Sequence, residues 1–123
     1  MSGSRTAATG RWGEDAALDY LESRGLTLLH RNFRRRFGEI DLVMQQRDCI
    51  VFVEVRVRRH PSFGDGLTSI TYRKRQRLRR AAAAYLKTHS DLASNPCRFD
   101  VVSVTAAGTS AVCAWTVDAF SAG

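Results

Sequence analysis

Apolar side chains recur along this chain with two different periods, and the switches between those periods mark its elements. From Trp12 to about Arg24, Ala17, Leu18 and Leu21 return at helical spacing with Glu14 on the same face, and Gly25 then supplies a stop. Leu26 to Asn32 predicts a short strand leading into a basic turn at Arg34, Arg35 and Arg36. Residues 38–44 (GEIDLVM) and 50–57 (IVFVEVRV) are rich in branched side chains and predict two further strands. Residues 58–69 carry Pro61, Gly64 and Gly66 and predict a loop. A long helix follows over about Thr71 to Thr88, with Leu78, Ala81, Ala82, Tyr85 and Leu86 as its apolar stripe. After a break at Asn95-Pro96, FDVVSV (99–104) and AVCAWTV (111–117) predict two strands around Gly108. The order α-β-β-β-α-β-β, without repeats or an internal linker, predicts a single mixed α/β domain over residues 10–120, preceded by a flexible tail at residues 1–9.

Charges that interrupt the apolar runs carry more information than charges on polar faces. Asp41 stands among Ile40, Leu42, Val43 and Met44, and Glu54 and Arg56 stand within Ile50 to Val57. Strands this apolar are usually buried on both faces, where Asp, Glu and Arg seldom sit unpaired. If the two runs form a hairpin, its centre falls between Arg47 and Asp48, and Asp41 and Glu54 are equidistant from it. Directly opposed residues have Cβ atoms about 5 Å apart on one face. Two ionised carboxylates so close repel, so either one takes up a proton or a cation sits between them. Oxygen-only ligands on a rigid sheet suit Mg²⁺ or Mn²⁺. Arg56, two residues beyond Glu54, shares its face, and a salt bridge from Arg56 to either acid is the purely structural alternative. The turn itself, Gln-Gln-Arg-Asp, lacks the glycine or Asn-Gly that marks tight hairpins. Glu14 is the other carboxylate on an inward stripe, although a first-turn position would also suit the helix dipole.

Composition sharpens this picture mainly through charge. With 44% hydrophobic and 25% charged residues, the 123-residue chain has the make-up of a globular domain and not of a disordered one. It carries 19 Lys and Arg against 12 Asp and Glu, a net charge of +7. Residues 31–80 hold 14 of the basic and 5 of the acidic groups, so the surplus lies there and points to a polyanion, nucleic acid above all. Arg34, Arg35 and Arg36, then Arg58 and Arg59, then Arg73, Lys74, Arg75 and Arg77 are the candidate phosphate contacts, which give salt-sensitive affinity without base readout. Cys49, Cys97 and Cys113 are odd in number and widely spaced, predicting buried free thiols in a reducing cytoplasm and no zinc site. MSGSRTAATG lacks the apolar centre of a signal peptide, and no run approaches the roughly 20 apolar residues of a membrane span. Trp12 and Trp115 are expected in the core, Tyr72 on the surface at a helix start, and Asp100 paired with Arg98.

GEIDLV (38–43), VFVEVRVRR (51–59), TYRKRQRL (71–78) and RFDVV (98–102), with GRWGEDAALDYLESRGLTLLHRNFRRRFGEIDL before them, resemble the YraN-like family of small bacterial proteins over about residues 10–120. The resemblance implies a restriction-endonuclease-like core, a mixed sheet flanked by helices, as in archaeal Holliday-junction resolvases of the PD-(D/E)xK superfamily. There, an Asp on one strand and an acid-x-Lys on the next hold the metal. Carried over, Asp41 takes the first acid's place, Glu54 the second's, Arg56 the lysine's and Glu14 the helix position; the Val55 backbone carbonyl would be a further ligand and Glu39 a candidate auxiliary one. Arg56 departs from the superfamily pattern, because a guanidinium stays protonated and cannot act as a base. The expected function is a Mg- or Mn-dependent endonuclease on branched or structured DNA, in which metal at Asp41 and Glu54 activates water and Arg56 and Lys74 stabilise negative charge, without an organic cofactor and without a membrane partner. Resolvase-like relatives imply a homodimer. A binding module of the same fold that has lost turnover, and an interaction protein docking an acidic partner, are the competing expectations.

Overall fold

The computed structural model describes residues 2–58 and 70–121, with side chains from Gly10 onward. Helix α1 runs over Ser2–Ser23, strands β1, β2 and β3 over Thr27–Arg35, Gly38–Gln46 and Cys49–Arg58, helix α2 over Tyr72–Thr88, and strands β4 and β5 over Cys97–Ala107 and Ser110–Phe120. A single 3-10 turn at Ser90–Leu92 links α2 to β4. The five strands form one sheet in sequence order, antiparallel throughout except for the central β3–β4 pair, which is parallel. This is the expected α-β-β-β-α-β-β order. The loop expected over residues 58–69, with Gly64 and Gly66, lies from residue 59 onward outside the described residues.

Alternation along β3 divides the core into two layers. Val51 and Val53 pack with Ala17 and Leu21 of α1, whereas Ile50 and Phe52 pack with Leu78, Ala81, Ala82 and Tyr85 of α2. The sheet is therefore covered by one helix on each face, and β2 and β3 are apolar on both sides for that reason. Gly13 lets α1 sit down tightly: a Cβ there would lie 2.3 Å from Val57 Cγ2.

Local signals fix the ends of the elements. Gly25, at φ 94°, closes α1: its N–H donates to Glu22 O at 3.0 Å while Leu26 N donates to Leu21 O at 3.1 Å, the paired bonds of a Schellman stop. Thr71 caps α2, its hydroxyl accepting from Lys74 N at 3.1 Å. The β2–β3 turn is tight despite its residues: Gln46 pairs with Cys49, and Arg47 takes φ 57° in the position a glycine would favour. Asn95 Nδ2 holds the turn from outside by donating to Asp48 O at 2.8 Å.

Three details differ from expectation. The helix begins at Ser2, so the stretch read as a tail is helical backbone; Ala7 and Ala8 favour helix, and no proline interrupts it. Trp12 is 37% exposed instead of buried, because the face of α1 turned to the sheet is the one carrying Ala17 and Leu21. Cys49, Cys97 and Cys113 are free thiols but only half-buried.

Asp100, fully buried on β4, organises the far edge of the sheet. Arg98 Nε donates to its Oδ1 at 2.9 Å, the Trp115 indole N–H to Oδ2 at 2.9 Å, and the Asp118 backbone N–H to Oδ1 at 2.9 Å. The last bond stabilises a bulge where the β4–β5 register shifts between Phe99 and Val101 and Asp118 adopts φ 54°. Trp115 is thus half-buried with a polar task and is not a plain core residue. Removing this carboxylate in Asp100→Ala strands three donors and should cost about 3–5 kcal/mol, read in thermal denaturation as a Tm fall on the order of 10–20 °C.

Candidate active site

The hairpin brings the two strand carboxylates together. Its paired register ends at Leu42 against Val53, and Asp41 and Glu54 are the next residues on the two strands. A break in the pleat turns Asp41 out of the regular ladder. Leu42 and Met44 face α1 and Val43 faces α2, yet Ile40 also packs in the α2 layer, so the alternation slips at Asp41. The neighbouring strand slips in step: Arg31 meets α1, Phe33 packs toward α2, and Asn32 between them takes φ 56°.

Glu54 is 6% exposed, and Lys74 Nζ of α2 makes an ion pair with its Oε2. Asp41 Oδ2 accepts from the Val55 backbone N–H at 2.8 Å. Burial first, and then the negative charge of Glu54, push the Asp41 carboxyl from its ordinary value near 3.8 up to about 8. The Val55 N–H opposes the rise, while the charge of Glu14 and a hydrogen bond with Glu54 add to it. Near neutral pH Asp41 therefore holds a proton in the absence of a cation.

A cavity of about 530 Å³ opens on this pair, lined by Glu39, Asp41, Glu54 and Val55 from the sheet, the cap residue Thr71, and Arg73, Lys74, Arg77 and Leu78 from α2. Acid and base thus meet on opposite walls. Glu39 lines the cavity while exposed and paired with Arg34 at 3.3 Å; the slipped pleat breaks the simple alternation that would set it on the face of Asp41. Glu14 is outside the described lining, on the inward side of α1, with its Oε1 3.4 Å from Arg31 Nε, yet near enough for its charge to act on Asp41.

Arg56 is half-buried on the α2 side of β3 and is not among the described residues lining the cavity. The ammonium beside Glu54 comes from α2 instead. Sequence spacing gave no sign of this pairing, which exists only once the helix packs on the sheet. Thr71, whose position before a helix is a legible cap signal, and Leu78 also line the cavity unforeseen.

The remaining basic candidates scatter. Arg36, Arg73 and Arg77 wall a second cavity beside the first. Arg34 is engaged with Glu39, Arg35 stacks over the Phe33 ring at 4.1 Å, and Arg75 and Arg58 are half-buried. Arg59 lies outside the described residues. Among the described residues no group of three or more His, Cys, Asp or Glu gathers as a metal site, and no helix is long and apolar enough to cross a membrane.

Fold and cavity define a small α/β domain in which a carboxyl pair, Glu54 buried and Asp41 half-buried, confronts a cationic helix. The chain belongs to the family described as Uncharacterised protein family UPF0102, the YraN-like family, whose model matches residues 13–104. It is similar to the UPF0102 protein of Stutzerimonas stutzeri, 47% identical over 95% of this chain and 98% of the relative. It is likewise similar to the UPF0102 proteins of Nitrosococcus oceani, 46% identical over 90% of each chain, and of Legionella pneumophila, 42% identical over 96% of this chain and 98% of the relative.

The raised Asp41 carboxyl makes metal-free stability depend on pH. Between the unfolded value near 3.8 and the folded value of about 8, the native state holds a proton that the unfolded state has released, so stability falls as pH rises through that window. Asp41→Asn keeps an acceptor for Val55 N–H and removes the charge. In EDTA it should melt higher than wild type near pH 9, by on the order of 5 °C, with the gap closing near pH 5. A constant offset between the two melting curves across pH would contradict the buried-proton account.

Proposed function

We propose that this protein is a metal-dependent phosphodiesterase acting on DNA, with Asp41, Glu54 and Lys74 at its centre. One observation carries the reading: a half-buried carboxyl pushed up to about 8 stands beside the buried Glu54 carboxylate, in a cavity whose facing wall is cationic. Such a pair costs stability unless a cation or proton joins it, and perturbed carboxyls in a cleft mark sites of chemistry more often than sites of packing.

The donor set fits a hard divalent cation. Asp41 and Glu54 offer oxygen alone, and Mg²⁺ or Mn²⁺ commonly takes one or two carboxylates and completes its shell with water and substrate phosphate. Asp41 and Glu54 would hold the ion, with the Val55 carbonyl as a further donor from the cavity wall. When bound, the ion supplies Lewis-acid polarisation of a phosphoryl oxygen and a more acidic water.

The side chains do the rest. Arg73 and Arg77 hold the phosphate from the α2 wall, and Lys74 neutralises Glu54 or the charge that grows on the transferring phosphate. Lys74 thereby fills the place that the strand pattern assigned to Arg56, and an ammonium there, unlike a guanidinium, is able to exchange its proton.

The test is cleavage of labelled single strand, duplex, flap, four-way junction and structured RNA in Mg²⁺, Mn²⁺ or EDTA. Wild type should cut DNA only with metal, and Asp41→Ala should abolish cutting. Lys74→Met should lower the rate by about 10²–10³-fold, whereas Arg56→Lys should change it by less than about threefold, within the range of a residue outside the cavity. Salt-sensitive binding without cutting would overturn the enzymatic reading in favour of a binding module. Absence of nucleic-acid binding at low salt would leave an acidic protein partner as the ligand of the basic face.

A further inference from the structure

The second cavity differs in chemistry from the first. It measures about 640 Å³ and is walled by Arg36, Phe37, Tyr72, Arg73, Arg77 and Arg80. Four arginines thus line it, and its described lining contains no carboxylate to neutralise them. Arg73 and Arg77 line both cavities, so the two adjoin along α2.

Two aromatic rings stand in this cationic wall. Tyr72 is 65% exposed and Phe37 40%, whereas Phe33, Phe52, Tyr85 and Phe99 are packed in the α2 layer of the core. A single exposed ring needs no explanation. Two that share a cavity with four guanidinium groups combine flat apolar faces with phosphate donors, the pairing used to grip unpaired nucleotides.

Both rings are mounted on fixed backbone. Phe37 occupies the β1–β2 turn, whose carbonyl accepts from Arg77 Nε at 3.2 Å. The next residue must be small: a Cβ on Gly38 would lie 2.5 Å from the Arg77 carbonyl oxygen, so turn and helix are in backbone contact. Tyr72 is the first residue of α2, directly after the Thr71 cap. Rings held in advance lose little freedom when a ligand stacks on them.

We propose that this cavity is a subsite for an unpaired nucleotide of a polynucleotide strand. Its base stacks on Tyr72 and Phe37, the arginines hold the flanking phosphates, and the strand continues past Arg73 and Arg77 to the Asp41–Glu54 pair. The inference rests on the nucleic-acid reading above and narrows its substrate class to strands with an unpaired base next to the reacting phosphate: an end, a flap, a bulge or a junction. Duplex bases are stacked on one another and offer no free face to the two rings.

The experiment is fluorescence anisotropy with the full chain in EDTA at low salt, where no cutting intervenes. The probes are labelled oligo-dT and oligo-rU of about ten nucleotides and a blunt duplex of equal length; the two single strands separate a preference for sugar from the stacking shared by both. Tyr72→Ala should weaken binding of at least one single strand by roughly 5- to 150-fold and duplex binding by less than about twofold, with Phe37→Ala acting in the same direction. Melting temperatures of both variants should match wild type, as expected for exposed side chains. A single strand carrying 2-aminopurine should show fluorescence quenching with wild type that the double variant loses. Equal losses on single strand and duplex, no loss on either, or undiminished quenching would each overturn the subsite. The outcome is separable from catalysis: selective loss in Tyr72→Ala without metal-dependent cutting by wild type sustains the subsite and removes the nuclease. Cutting by wild type with unchanged single-strand affinity in Tyr72→Ala does the reverse.

Discussion

Repulsion between Asp41 and Glu54 is the constraint around which this domain is arranged. The hairpin brings them to one cavity just beyond its last pair, Leu42 against Val53, with Glu54 buried and Asp41 half-buried. The fold answers with a single backbone N–H to Asp41, a lysine to Glu54 and a retained proton. Asp100 shows the other solution available to the same sheet. It is more deeply buried, yet Arg98, the Trp115 indole and the Asp118 N–H converge on it, and its oxygens are committed within the protein. A carboxylate surrounded by donors is a structural fastening; one left short of them beside a like charge is open to a ligand.

How far the sequence revealed this depended on whether a signal was local. Asp41 and Glu54 were legible because hairpin symmetry is a property of spacing, and the tight turn at Arg47-Asp48 keeps that symmetry even though Arg47 must adopt a left-handed φ. The stop at Gly25 and the α2 stripe were legible for the same reason. Lys74 at Glu54 was not, since the two are joined only by the packing of a helix on a sheet. The slipped pleat at Asn32 and Asp41 was also hidden: both strands change face together, so neither shows an anomaly against its partner's register. Trp12 misled because large aromatics favour interiors on average, while helix phase decides the single case.

Helix α2 carries the cost of its own surface. Its first turn contains no acid, and Arg73, Lys74 and Arg75 crowd the end where backbone N–H groups already concentrate positive charge. Thr71 relieves one N–H, Glu54 relieves Lys74, and the buried stripe of Leu78, Ala81, Ala82 and Tyr85 holds the helix in place regardless. Stability of this element thus comes from its apolar side, leaving the opposite side free to be unusually cationic.

The parallel pairing of β3 with β4 has a kinetic corollary. The β2–β3 hairpin closes through two residues, but β4 reaches β3 only after the chain has crossed through α2, and contacts such as Asn95 to Asp48 or Ile50 to Pro96 close that long excursion. Short loops close at lower entropic cost than long ones, and non-local pairings slow folding. The two carboxyls are therefore brought face to face early, while the lysine that partners Glu54 arrives with the late crossover. Burial, the first cause of the raised Asp41 carboxyl, is complete only when both helices cover the sheet, so the proton belongs to the late packing step and not to the hairpin.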